Sequence, residues 1–293
     1  MSSRSKDGAL SSQTMPTQAA TGYELRQQGD LQVLAWPAFD PLPVDVLVTT
    51  RHGGVSAGDF ATLNLSFSVG DQPENVVENR RRAAAALGAD LADFAFATQV
   101  HGAVARIVTA GDRGRGATAR GGTVGDADAL VTGDPGTVLA VLVADCVPIV
   151  LYDPAAHVLA CVHAGWRGTV ARATDAALEA MATLGARPQN VIAGVGPAVS
   201  ADGYQVGNDV AEAVHESFGA QAQNVIRPDG TGRWLLDLWT ANLLILGQAG
   251  VTRERTHVAA IPTGAEPGQF FSDRAIRPCG RFAAIARLHP RGD

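Results

Sequence analysis

Residues 138–169 read VLAVLVADCVPIVLYDPAAHVLACVHAGWRGT, and this stretch decides the fold. Val138–Ala144 is an apolar run of strand length, and the apolar character continues to Tyr152, cut only by Asp145 and Pro148. The run falls short of the roughly 20 apolar residues a membrane helix requires, so it predicts a buried strand region. Val158–Val162 predicts a further strand. His163–Thr169 then joins that strand, through a glycine-rich turn, to a helical pattern over Thr169–Leu184 that stops at Gly185. Strands that follow one another here and alternate with helices elsewhere do not make a uniformly alternating parallel fold. They predict a mixed α/β domain in which mixed β-sheet is flanked by helices.

Upstream, Val44–Thr50 reads as a strand leading into a turn-rich loop, Arg51–Ser56, and Asn79–Leu87 as a helix ending at Gly88. Phe96–Val100, Val104–Val108 and Leu130–Val131 are short strand candidates, and the glycine-rich segment Arg113–Gly125 between them reads as a mobile surface connector. Downstream, Val191–Val195 is a strand and Leu238–Leu246 a helix with Asp237 as its N-cap. Residues 1–22 are rich in Ser, Gln, Thr and Ala without periodicity and are expected to be a disordered tail. No low-complexity break or repeat of 20–50 residues divides the remainder, so residues 23–293 are expected to form one domain.

Composition narrows the function. With 46% hydrophobic and 18% charged residues the chain can bury a sizeable core. Its net charge of −6, with no Lys/Arg-rich run, argues against a nucleic-acid partner. The N-terminal residues contain no continuous apolar h-region and no segment reads as a membrane span, which points to the cytoplasm. Three cysteines, Cys146, Cys161 and Cys279, cannot all pair and are expected as reduced thiols.

Three short motifs carry the chemistry. Gln99-Val100-His101-Gly102 places His101 where a strand opens into a glycine turn, a position that also suits a histidine that merely closes the turn. Ala144-Asp145-Cys146-Val147-Pro148 sets an acid and a thiol inside an apolar run, where a carboxylate needs a partner and a cysteine can simply pack. His163-Ala164-Gly165-Trp166-Arg167-Gly168-Thr169 opens a helix with free N–H groups. Together with Arg167 these offer an anion site at Gly165, Gly168 and Thr169, unless the glycines only relieve steric strain. His101, Cys146 and His163 form an N/S/N set that suits zinc and leaves a fourth position open. Cys161, two residues before His163, is a competing thiol on the same strand face.

Together these motifs resemble the YfiH family, also called the laccase-domain or polyphenol oxidase family, which includes purine nucleoside phosphorylases. The resemblance extends over roughly residues 45–287. It takes in Thr49-Thr50-Arg51, Gly53-Gly54-Val55-Ser56, Asn64-Leu65, Gly196-Pro197, Tyr204-Gln205-Val206-Gly207, Leu236-Asp237-Leu238, Phe271-Ser272 with Arg274, and Gly280-Arg281. It implies a single α/β domain that binds zinc through His101, Cys146 and His163. It also implies a small-molecule enzyme that cleaves adenosine, inosine, guanosine or methylthioadenosine with phosphate, or deaminates adenosine. The chain departs from the family pattern at Pro262, at Asp202-Gly203 and at Asp273, positions that bear on the substrate pocket.

On this reading Arg51 and the Gly165–Thr169 turn are candidates for holding phosphate, and Asp145 for orienting a ligand or shuttling a proton. Arg274 and Arg281 are candidates for reaching substrate, with surface salt bridges as their alternative fate. Three rival readings stand beside it. One is a copper oxidase, to which seven histidines without paired His-x-His spacing are poorly suited. The second is a cysteine-dependent hydrolase or amidase acting on peptidoglycan precursors, with Cys146 as nucleophile and either histidine as base. The third is a binding protein that uses the same pocket without catalysis.

Overall fold

Strands that are apolar on both faces are stable only where both faces are covered. The computed structural model, described over residues 22–264 and 268–291, builds that arrangement. In chain order the elements are β1 (Glu24–Gln28), β2 (Leu31–Ala35), β3 (Val44–Thr49), α1 (Pro73–Ala86), β4 (Phe94–Phe96), β5 (Ala105–Ile107), β6 (Ala129–Thr132), β7 (Val138–Val143), β8 (Val147–Asp153) and β9 (Val158–Ala164). They continue as α2 (Trp166–Val170), α3 (Ala173–Thr183), β10 (Ile192–Val195), β11 (Gln205–Val206), α4 (Asn208–Phe218), β12 (Ile226–Pro228), β13 (Trp234–Leu236), α5 (Leu238–Ala249), β14 (Thr256–Val258) and β15 (Phe282–Leu288).

Two six-stranded sheets, ordered β1-β2-β3-β15-β7-β4 and β14-β10-β8-β9-β6-β5, lie face to face, and β11-β13-β12 form a small third sheet. Both large sheets are mixed. β7 pairs antiparallel with β15 and parallel with β4, while β8 pairs antiparallel with both β9 and β10, and β10 runs parallel to β14. Side-chain alternation sorts each strand between two cores. Val141 and Val143 of β7, Val150 and Tyr152 of β8 and Leu159 and Cys161 of β9 meet between the sheets. Val138 and Ala140 face the opposite way, onto Ala83 and Ala84 of α1. Ile149, Leu151, Ala160 and Val162 pack on Ala177, Met181 and Ile245 of α3 and α5. The result is the mixed α/β architecture expected, with helices covering the outer faces.

Several boundaries differ from the sequence reading. The first helix starts at Pro73 rather than Asn79, with proline in its first turn, where no N–H is needed. The helix expected over Thr169–Leu184 is two helices, broken at Arg172, whose φ of 67° is left-handed. The strand expected over Phe96–Val100 is Phe94–Phe96. Arg113–Gly125 is tied down rather than a loose connector: Phe94 and Phe96 exchange backbone bonds with Gly114, Arg115 and Val124, and Ala117 is buried. Asp237 caps its helix as expected, accepting from the Thr240 N–H at 2.9 Å. Of the expected N-terminal tail, residues 1–21 lie outside the described residues.

Candidate metal centre and active site

The register of β8 on β9 builds the centre. Val147 pairs with Ala164 and Pro148 with His163, so Cys146, just before β8, comes opposite Gly165. A Cβ on Gly165 would stand 2.7 Å from the Cys146 sulfur and 3.5 Å from His101 Cδ2. Glycine here leaves the thiol its room. His101 arrives from the other sheet. The Gln99 side chain exchanges two hydrogen bonds with the Leu142 backbone at 2.7 and 2.8 Å, fixing residues 99–101 beside the end of β7. The ligand atoms of His101, Cys146 and His163 all lie within 4.8 Å of one another. Bonds of about 2.0–2.3 Å to a tetrahedral ion place its ligand atoms roughly 3.3–3.8 Å apart, so the trio fits zinc after a small inward shift.

Asp128 locks this geometry, and sequence reasoning missed it. It is 1% exposed, and one carboxylate oxygen accepts from His163 Nδ1 at 2.8 Å and from the His101 N–H at 2.9 Å. The other accepts from the Gly102 N–H at 2.6 Å. With Nδ1–H directed at the carboxylate, His163 keeps its Nε2 lone pair for a metal. The available signal was an acid, in Asp126-Ala127-Asp128-Ala129, entering an apolar strand.

Burial works against charge on both Cys146 and His163, but each is held charged by the other. The imidazoles of His163 and His101 bring the thiol down to about 6. The thiolate and Asp128 raise the imidazole of His163. The metal-free site is therefore a thiolate–imidazolium pair, a donor set ready to lose one proton to a cation. Cys161 shares the strand face of His163 but is sealed in the core between the sheets. Burial pushes its thiol far up, which makes it a poor ligand.

The trio opens on a cavity of about 580 Å³, lined also by Gln99, Ser66, Arg80 and Arg281. That volume lies in the range of small-molecule sites. Of the other expected residues, Arg281 lines the cavity, although Asp273 takes its Nη2 at 3.0 Å and the carbonyls of Cys279 and Gly280 take its Nη1. Asp273, one of the departures from the family pattern, thus holds this arginine in place.

Asp145 has a left-handed φ of 81°, and its carboxylate accepts from Thr263 Oγ1, Ser272 Oγ and the Arg274 N–H at 2.5–2.7 Å. These three donors are the partners that hold this buried acid. Arg274 stacks over Tyr204 at 5.4 Å. Burial, followed by the Cys146 charge, pushes the Tyr204 phenol up to about 12.

The remaining candidates stand apart from the cavity lining. The Arg51 guanidinium packs over Phe271 and donates to the Ala61 carbonyl. Arg167 is exposed and stacks on Trp166. Thr169 is buried in the helix layer, where its hydroxyl accepts from Asn242. A Cβ at Gly168 would lie 3.0 Å from the Gly102 carbonyl, so that glycine serves close packing. Helix α2 is only five residues long. Pro262 and Asp202 lie away from the cavity wall, Pro262 bridging to Ala198 and Asp202 pairing with Arg227, while Gly203 donates to Ser200.

Over residues 45–289 the chain matches the family described as multi-copper polyphenol oxidoreductase laccase. It is 44% identical over 210 residues to a purine nucleoside phosphorylase of Deinococcus radiodurans, covering 72% of this chain and 77% of that protein. It is 34% identical to adenosine deaminase RL5 from an unknown prokaryotic organism, covering 80% and 89% of the two. The crystal structure of Bacillus licheniformis hypothetical protein YfiH superposes with a TM-score of 0.86 at 30% identity, covering 90% of this chain and 98% of that one.

Proposed function

The chain belongs to the multi-copper polyphenol oxidoreductase laccase family, and from that premise we propose that it is a zinc-dependent purine nucleoside enzyme of the cytoplasm. Its reaction is phosphorolysis of adenosine, inosine, guanosine or methylthioadenosine, with deamination of adenosine as a second activity. The observation that carries this reading is the convergence of two imidazoles and one thiol on the wall of a cavity of nucleoside size. The names of the two curated relatives support the two reactions.

His101, Cys146 and His163 would hold the ion, and zinc there supplies Lewis acidity toward a carbonyl, phosphoryl or water oxygen. Asp128 holds His163 in the ligating tautomer and pins the His101 turn. In phosphorolysis a phosphate oxygen attacks the anomeric carbon as the bond to the purine nitrogen breaks, and the cavity's task is to align the two and keep water away. Arg281, held by Asp273, presents a fixed cation to that cavity. Oxidation by a multicopper enzyme needs several copper sites, whereas the described residues bring together one metal-capable group, which suits the Lewis-acid chemistry of a single zinc ion.

One observation favours a second reading. The thiol brought down to about 6 beside His163 is also what a cysteine hydrolase would use as its nucleophile. Metal content of the purified protein and of Cys146→Ala, with both assayed on adenosine plus phosphate, separates the two. About one zinc per chain, lost together with product in the variant, is expected. A metal-free wild type that leaves adenosine untouched refutes the nucleoside reading in favour of the hydrolase.

A further inference from the structure

Arg80 lies in α1, yet it is only 4% exposed. Its guanidinium is clamped between the rings of Phe67 and Phe96, at 4.4 and 3.9 Å. Nε donates to the Leu65 carbonyl at 2.8 Å, and Nη1 to the carbonyls of Gly116 and Ala117 at 2.6 and 3.0 Å. These acceptors are all neutral. No carboxylate among the described residues pairs with this arginine, and burial alone brings its pKa down to about 9, which leaves it charged at neutral pH. A buried cation without a counter-ion is costly, and Nη2 makes no hydrogen bond to the described residues.

The surroundings point the same way. The chain carries a net charge of −6, yet beside the Cys146 thiol the cavity that Arg80 lines is edged by Arg80, Arg120, Arg281, His101 and His163 and, among the described residues, by no Asp or Glu. Ser66 and Ser68 add hydroxyls to the same wall. A rigid fork with one nitrogen unpaired among the described residues, in a cavity whose described lining holds no carboxylate, suits a tetrahedral oxyanion.

We propose that Arg80 forms the anion subsite of this cavity and binds inorganic phosphate through its unpaired Nη2 edge. The assignment rests on the nucleoside reading for its biological sense, since phosphate is then the second substrate. It moves the phosphate site from Arg51 and the Gly165–Thr169 turn, which do not line this cavity, to the cavity wall shared with the metal ligands. The aromatic clamp fixes the guanidinium plane before phosphate arrives, so little ordering is needed on binding.

The test is calorimetric titration of the zinc-loaded full chain with inorganic phosphate at constant ionic strength, for wild type, Arg80→Gln and Ser68→Glu. Glutamate at exposed Ser68 sets a tethered carboxylate in the same cavity to compete for the cation. Saturable binding by the wild type is expected, weakened roughly 10–100-fold in each variant, as for loss of a charge-assisted hydrogen bond. In turnover assays the phosphate KM should rise with the nucleoside KM little changed. Absence of saturable binding by the wild type, or undiminished affinity in Arg80→Gln, overturns the proposal. Should Arg80→Gln fail to fold, undiminished affinity in Ser68→Glu overturns it. A wild type that binds phosphate but cleaves no nucleoside sinks the enzymatic reading and leaves the anion site standing. Cleavage with a phosphate KM indifferent to Arg80 does the reverse.

Discussion

Replacing Asp128 by Asn isolates what the carboxylate does for the metal centre, because the two side chains have the same shape. Asp128 accepts two bonds on one oxygen, from His163 Nδ1 and the His101 N–H, and one on the other, from the Gly102 N–H at 2.6 Å. Asparagine keeps a single acceptor. If its oxygen faces His163 and His101, its NH₂ confronts the Gly102 N–H, and one buried donor is orphaned at a cost of about 1–3 kcal/mol. If it turns the other way, two donors are orphaned and His163 is freed to exchange tautomers. Either outcome loosens two of the three ligands. A loss of 10–100-fold in metal affinity, about 1.4–2.7 kcal/mol, is the expected scale for such a partner of a ligating histidine. Zinc affinity measured by competition with a chromophoric chelator at pH 7, on protein shown to be folded by circular dichroism, reads this directly. An Asp128→Asn variant that melts earlier but binds zinc within twofold of wild type would refute the argument and leave Asp128 a role in the fold alone.

Three further outcomes follow from the same geometry. Gly165→Ala should bind zinc at least about tenfold more weakly, because its methyl would stand 2.7 Å from the Cys146 sulfur and must displace a ligand; unchanged zinc stoichiometry at low micromolar metal would contradict this. In metal-free protein, iodoacetamide should alkylate Cys146 at a rate that rises with pH through about 6 and falls away below it, since the folded thiol ionises there rather than near 9. Zinc should suppress that reaction, and mass spectrometry should find buried Cys161 unmodified; a midpoint near 9 would show that the imidazoles do not hold the thiolate. Asp145→Asn should lower Tm by about 5–10 °C through loss of charged hydrogen bonds from Thr263, Ser272 and Arg274, and should weaken zinc binding, because those bonds hold the left-handed turn that delivers Cys146. Zinc affinity unchanged at a lowered Tm would show that the turn at Asp145 serves the fold alone and does not aim the thiolate.

What the sequence displays depends on whether a residue's neighbours in the chain are also its neighbours in space. The apolar runs from Val138 to Val162 announce themselves because both strand faces are covered, and the three ligands are visible because each interrupts or ends such a run. Arg80 is hidden by its setting in Arg80-Arg81-Arg82, which reads as a solvated helix face. The 100° turn per residue sends Arg81 outward and lets Arg82 pair with Glu78, while Arg80 alone turns inward. β15 was missed although it lies at the centre of its sheet, between β3 and β7, because Arg287 breaks its apolar pattern. That guanidinium leaves the core at the strand's end to reach Asp45. The expected anion site at Gly165–Thr169 rests on a glycine-rich turn at a helix start and on Arg167, and position in the chain does not say which way N–H groups point.

The two residues that most constrain the centre are legible only in the backbone. His101 and Asp145 have φ of 60° and 81°, in the left-handed region that non-glycine residues enter at a cost of order 1–3 kcal/mol. Each is held there by more bonds than the strain can break: the His101–Gly102 amides by Asp128, and the Asp145 side chain by three donors from residues 263–274. The consequence is directional. A left-handed residue at 101 turns the chain back sharply, bringing its imidazole within 4.8 Å of the other two ligands, and one at 145 lets Cys146 leave the end of β7 and face Gly165 across the β8–β9 ladder. Glycine at either position would relieve the strain and lose the imidazole or the buried clamp, so the strain is stored where it aims ligands. The metal site is therefore prepared by two separate clamps, Asp128 on the turn that follows β4 and residues 263–274 on the turn between β7 and β8, and both act where the two large sheets meet.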